Sequence, residues 1–142
     1  MSIVNFRIKK MSAERSELDA TELGNVDVNS NFLIVSMTKK KDPTVGDYLQ
    51  VNFKFNVYYT PNLGRIDMEG LLWYSDKDLD KAVTEASGKI EIQPEPLKEI
   101  STTILRDSLL EAIDVARKLR LPIPINLPKV NVPKEAKFPK AA

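Results

Sequence analysis

The strongest constraint on what this chain can fold into lies between Tyr48 and Tyr74. Leu49, Val51, Phe53, Phe55, Val57 and Tyr59 occupy every odd position, with Gln50, Asn52, Lys54 and Asn56 between them. Side chains on a strand alternate faces with period two, so this spacing makes one long strand with an apolar face and a wet one, whereas a helix would scatter the same residues around its circumference. Pro61-Asn62-Leu63-Gly64 breaks the run with turn-forming residues. A second extended run follows, Arg65 to Tyr74, in which Ile66, Met68, Leu72 and Tyr74 alternate with Arg65, Asp67 and Glu69, while Leu71 and Trp73 fall on the opposite side. The pattern predicts a β-hairpin at the centre of the core, with its register left open by a turn of uncertain length.

The remaining elements are arranged around that hairpin. Val4, Phe6 and Ile8 alternate with polar residues as a short first strand, and 11–25 reads as a polar connection with a helical turn around 13–18. Val26 to Val28 and Phe32 to Met37 are strand-like clusters separated by a bend at Asn29-Ser30-Asn31, and Lys39 to Asp47 has the composition of a loop. Leu79, Ala82, Val83 and Ala86 at helical spacing, with Gly88 after them, predict a short amphipathic helix, and Ile90 and Ile92 a short edge strand stopped by Pro94 and Pro96. Ile100 to Leu119 is the longest helical pattern, with a wide stripe of Ile104, Leu105, Leu109, Ala112, Ile113, Ala116 and Leu119. Pro122, Pro124 and Pro128 then keep the chain extended, with Ile123, Ile125, Leu127 and Val130 available to dock.

Composition narrows the chemistry. The 142 residues are 42% hydrophobic and 29% charged, enough for one domain with a real core. Net charge is +1, which supplies no global field toward nucleic acid or a membrane surface. After Asp114, seven Lys or Arg stand against Glu135 alone, so an acidic body carries a basic end. The division expected is one domain over 1–132 and a basic, Pro-containing flexible tail over 133–142. The sequence has no cysteine and no histidine, which removes disulfides, thiolate nucleophiles, the usual zinc sites and the serine–histidine triad. Asp76-x-Asp78-x-Asp80 imitates the opening of a calcium loop, but Lys81 and Ser87 stand where that loop needs Gly and a bidentate Glu. No acid–base pair or activated nucleophile can be assembled, so the expectation is a non-enzyme without cofactor or metal. Nor is there a signal core or an apolar run long enough to span a bilayer; a cytoplasmic protein without membrane insertion is expected.

Three stretches resemble the SecB-like family, the bacterial export chaperone and its shorter archaeal-type relatives. Asn5-Phe6-Arg7-Ile8 resembles the family's first strand. Leu49 to Val57, the turn and Arg65 to Trp73 resemble its central strand pair. Thr103-Ile104-Leu105 through Lys118-Leu119, followed by Leu121-Pro122-Ile123-Pro124-Ile125-Asn126-Leu127-Pro128, resembles its long helix and the Pro-containing segment after it. The resemblance implies an α+β fold, a four-stranded (or slightly larger) antiparallel sheet with a long C-terminal helix packed on one face. It also implies assembly into dimers or tetramers and nucleotide-independent binding of unfolded or extended polypeptide. Asp76 to Glu99 reads as an insertion relative to the family, and the basic tail does not resemble the segment with which export members engage the translocation motor. On the residues, the second sheet face carries Tyr58, Leu71 and Trp73, which become the candidate peptide-binding or interface residues, with Ile123 and Ile125 as a rim. The alternatives are an oligomeric scaffold whose second face is consumed by self-association, and a module dedicated to one protein partner, as in a toxin–antitoxin system.

Overall fold

The computed structural model of the chain describes residues 2–17 and 26–125. Four long strands, β1 (Ser2–Arg15), β2 (Asp27–Asp42), β3 (Gly46–Thr60) and β4 (Gly64–Ser75), form one antiparallel sheet in the order β1-β4-β3-β2. The hairpin expected from the alternation is thus the pair of central strands, and β1 and β2 are the edges. After β4 come a single helical turn α1 (Leu79–Ala82), a small hairpin β5 (Val83–Ala86) and β6 (Lys89–Ile92), and the long helix α2 (Pro94–Lys118).

Every odd residue of β3 from Leu49 to Tyr59 is buried, together with Ile66, Met68, Leu72 and Tyr74 of β4. Register pairs them face to face: Leu49 with Tyr74, Val51 with Leu72, Phe55 with Met68 and Val57 with Ile66. Phe53 meets Gly70, where a Cβ would lie 2.5 Å from the Arg7 carbonyl oxygen and 2.6 Å from the Phe53 ring. The missing side chain lets that ring lie across the strand, stacked on Phe6 of β1 with centroids 5.4 Å apart.

The helix lies on this buried face. Pro96, Ile100, Ile104, Ser108, Ala112 and Ala116 are buried at four-residue steps, so α2 seats its i±4 ridge on the central strands. Two clusters result. Ile100 and Ile104 pack with Phe53, Leu72, Tyr74 and α1, while Ala112 and Ala116 pack with Phe55, Tyr59, Leu63 and Ile66. The small side chains in the second half allow the helix to approach the sheet closely.

Several local expectations are corrected. β1 does not end near Ile8; it runs to Arg15, because Met11 and Ala13 stay in phase with Met68 and Ile66 of β4 and the backbone bonds of a central strand need a partner along their full length. The helical turn expected around 13–18 is therefore replaced by strand as far as Arg15. The bend expected at Asn29-Ser30-Asn31 is absent, since these residues pair regularly with Tyr58, Val57 and Asn56; the irregularity falls at Val35 instead. There Phe32-Leu33-Ile34-Val35 puts four apolar residues in succession, and one extra residue re-phases the alternation. Lys39 to Asp42 belong to β2 rather than a loop, and only 43–45 form the turn. The helix expected over Leu79 to Ala86 stops after one turn at Val83, where β-branched Val83 and Thr84 continue as a strand. Ser87 and Gly88, both at positive φ (53° and 73°), make the two-residue hairpin loop in place of a helix end. Finally, α2 begins six residues before Ile100, with Pro94 in its first turn, where the missing N–H costs nothing. The proposed tail 133–142, and Leu127 and Val130, lie outside the described residues.

Candidate functional site

Register across the sheet maps the face turned away from α2. Successive rows read Val4–Trp73–Gln50–Thr38, then Arg7–Leu71–Asn52–Ser36, then Lys10–Glu69–Lys54–Leu33, then Ser12–Asp67–Asn56–Asn31, and finally Glu14–Arg65–Tyr58–Asn29. Leu71 and Trp73 are neighbours on this face, as their spacing implied, and Trp73 stacks on Tyr48 with ring centroids 4.1 Å apart. Mutual cover leaves Leu71 only 7% and Tyr48 5% exposed, with Trp73 half-buried. Tyr58 lies opposite Arg65, six β4 residues from Leu71 and eight from Trp73, roughly 20–26 Å along the strand. Its ring is capped by the Arg65 guanidinium at 5.2 Å, itself held by Asp67 through bonds of 2.7 and 3.0 Å. The middle of the face is polar: the Asn52 amide donates to Ser36 Oγ at 2.9 Å, and Lys54 pairs with Glu69 at 3.5 Å.

Ile123 and Ile125 lie elsewhere, at the end of the buried face. Arg120 takes a left-handed conformation (φ 56°) after α2, and the Leu121 N–H donates back to the Ala116 carbonyl at 2.8 Å. The following segment is pinned by Tyr59, whose hydroxyl donates to the Pro122 carbonyl at 2.6 Å; burial pushes that phenol up to about 12. Leu121 and Pro124 turn inward while Ile123 and Ile125 are 39% and 40% exposed. With Val26 to Ser30 of the β2 end they border a cleft of about 480 Å³. The five candidate residues therefore occupy three places: one end of the outer face, its other end, and the cleft beside β2.

Sequence reasoning missed the two most exposed aliphatic side chains of the sheet, Leu33 at 62% and Val35 at 53%. Both sit at the middle of β2, an edge strand, next to the phase break. On the other side of the same strand Phe32, Ile34 and Met37 are half-buried against the core. The signal that could have found them is the unbroken apolar run Phe32 to Val35, which cannot place all its members on one face. Across the helix, Glu99, Thr102 and Arg106 border Ile3 and Phe6 of β1. At 100° per residue, Leu97 and Leu105 then lie on the flank turned away from β1, and both are exposed. Leu110, 61% exposed, falls on the opposite flank, one turn after Arg106, while the other exposed aliphatic residues of the sheet and helix gather around β2 and the flank away from β1.

Two of the three aspartates after β4 have side-chain partners. Asp76 accepts the Asp78 N–H at 3.1 Å and the Tyr74 hydroxyl at 3.2 Å, and the backbone bond holds its carboxyl below the usual range. Burial, reinforced by Asp76, raises the Tyr74 phenol to about 12. Asp80 pairs with Lys39 at 3.3 Å. Among the described residues no three acidic side chains converge as a cation site, and no helix is long and apolar enough to cross a membrane.

No known family's sequence profile matches the chain, and no curated protein matches it. Among solved structures it is similar to the Mycobacterium tuberculosis SecB-like chaperone Rv1957, solved in complex with a ChAD peptide from the Rv1956 HigA1 antitoxin. The identity is 17%, the TM-score 0.49, and the alignment covers 93% of this chain and 91% of that one.

Proposed function

We propose that the protein is a non-catalytic, chaperone-like binder that holds extended or non-native polypeptide along edge strand β2 without nucleotide, in the cytosol. The observation that carries this reading is the exposure of Leu33 and Val35, 62% and 53%, in the middle of a 16-residue edge strand. An edge strand offers unpaired backbone N–H and C=O groups, which any extended chain can satisfy whatever its sequence. Aliphatic side chains on both sides of that edge add non-directional burial. Together they give sequence-tolerant capture. Ile123 and Ile125 extend the apolar surface at the Asp27 end of β2, and Leu71 and Trp73 with Tyr48 form a separate aromatic anchor on the outer face; Tyr58 serves as a contact at its far end.

The test is light scattering of an aggregating client protein with equimolar chain and no ATP. Suppression of aggregation that is lost in the double variant Leu33→Ser/Val35→Ser supports the reading. Failure to suppress with several unrelated clients contradicts it.

A second reading is favoured by Leu97 and Leu105, which leave exposed leucines on one flank of α2. A second copy of the chain packing there makes a dimer or tetramer, and β2 is then free for a client or for one dedicated protein partner. Sedimentation equilibrium at micromolar concentration checks it: self-association is expected, and it should weaken when Leu97 and Leu105 are both replaced by Glu. A strict monomer contradicts it.

A further inference from the structure

We infer that the β2 edge selects extended segments whose apolar stretch is flanked on one side by carboxylates, through the lysines at its C-terminal end. This deepens the function proposed above and rests on it.

β2 is not uniform along its length. Its middle carries exposed Leu33 and Val35; its end carries Lys39, Lys40 and Lys41 in succession. Lys39 is bound to Asp80 at 3.3 Å, whereas Lys40 and Lys41 have no ion-pair partner among the described residues and are exposed. The acids nearby are already engaged or turned aside. Asp42 accepts the Thr44 and Val45 N–H groups at 2.8 and 3.0 Å, and Asp47 stands opposite Lys41 on β3, not on the open side of β2. At the other end of β2 the charge is reversed, with exposed Asp27.

A strand adding to this edge places successive side chains beside those of β2. Cross-strand opposite charges attract and like charges repel, so the residues laid against Lys40 and Lys41 are favoured as Asp or Glu and disfavoured as Lys or Arg. Leu33 and Val35 are five to eight residues earlier on the same strand, so the aliphatic part of the ligand is about 16–26 Å from its acidic part. The edge therefore reads two chemistries side by side: aliphatic residues in alternation against its middle and carboxylates against its end.

The experiment uses the full chain and two pairs of fluorescein-labelled peptides sharing one core of alternating Val and Thr. In each pair one peptide carries a Glu-Glu flank and the other Lys-Lys; the flank is N-terminal in one pair and C-terminal in the other, to cover both strand directions. Fluorescence anisotropy is expected to show the better-oriented Glu-Glu peptide binding about tenfold tighter than its Lys-Lys counterpart, with the gap narrowing between low and high salt. The Lys40→Glu/Lys41→Glu variant should reverse the order. Equal affinity of the two flanks, or a preference unchanged in that variant, overturns the selectivity while leaving peptide binding itself intact. Binding of none of the peptides overturns both the selectivity and the function it rests on. Equal competition by a single-stranded oligonucleotide would mark the lysines as a general anion patch and overturn the inference as well.

Discussion

β1 and β2 are edges of the same sheet, 14 and 16 residues long, but they expose different things. β1 breaks register twice, between Val4 and Arg7 and between Ile8 and Lys10, and Asn5 takes a positive φ of 57° at the first break. Arg7, Lys9 and Lys10 are exposed along its middle, and its apolar residues Ile3, Phe6 and Ile8 turn toward the core. Bulges and mid-strand cations are the usual means of discouraging another chain from pairing with an edge. β2 breaks register once and, at that break, exposes aliphatic rather than charged side chains. One sheet thus has a closed edge and an open one. The difference lies in where each strand puts its charge, mid-strand in β1 and at the end in β2.

The closed edge is held in place at Gly70, and that is where the contrast breaks most severely. Gly70→Val forces a side chain against the Arg7 carbonyl and the Phe53 ring. A loss of about 3 kcal/mol is expected in denaturant unfolding. Because the tightest contact is with the Arg7 backbone of β1 and the displaced Phe53 ring stacks on Phe6 of the same strand, the damage should centre on β1, with β1 amides losing hydrogen-exchange protection before those of β2.

The open edge responds differently. Leu33→Ser/Val35→Ser should leave stability within about 0.5 kcal/mol, as for exposed substitutions elsewhere, yet weaken binding of an extended peptide tenfold or more. Met11→Ser, at the exposed methionine of β1, serves as the control and should change binding little. Equal losses at both edges would erase the distinction.

A smaller effect sharpens the account of the wall beside β2. Tyr59→Phe keeps the buried ring but leaves the Pro122 carbonyl without its donor, a cost of about 1 kcal/mol. It should also alter the alkaline limb of the stability curve. In the folded protein the Tyr59 phenol is raised from about 10 to about 12, so the folded state holds its proton more tightly than the unfolded chain. Its contribution is complete below pH 10 and disappears as pH climbs toward 12. The variant should fall less steeply over that window; Tyr74, raised for the same reason, accounts for a remaining slope.

How much of this was legible in the sequence follows from how local each signal is. The β3–β4 hairpin was readable because burial repeats at every second residue from Leu49 to Tyr59, and its register followed once the turn was fixed. The α2 stripe was readable in type but not in start, since Pro94 and Pro96 stop a strand and begin a helix equally well. Gly88 was read as a helix end because Leu79, Ala82, Val83 and Ala86 mimic a helical face; tertiary pairing of Val83 with Ile92 prevailed over that spacing. The candidate residues fared according to distance. Leu71 and Trp73 sit two residues apart on one strand and came together, whereas joining Tyr58 or Ile123 to them required knowing the register and the path after α2. Exposure at Leu33 and Val35 depended on β2 being an edge, which strand order decides and single-strand patterns do not.

Hydrogen exchange of the full chain with and without an extended client peptide tests the two-edge account most directly. Added client should protect amides of β2 between Phe32 and Lys41 and leave β1 between Ile3 and Arg15 unchanged. Protection of β1, or of neither strand under conditions where the peptide is bound, would contradict it.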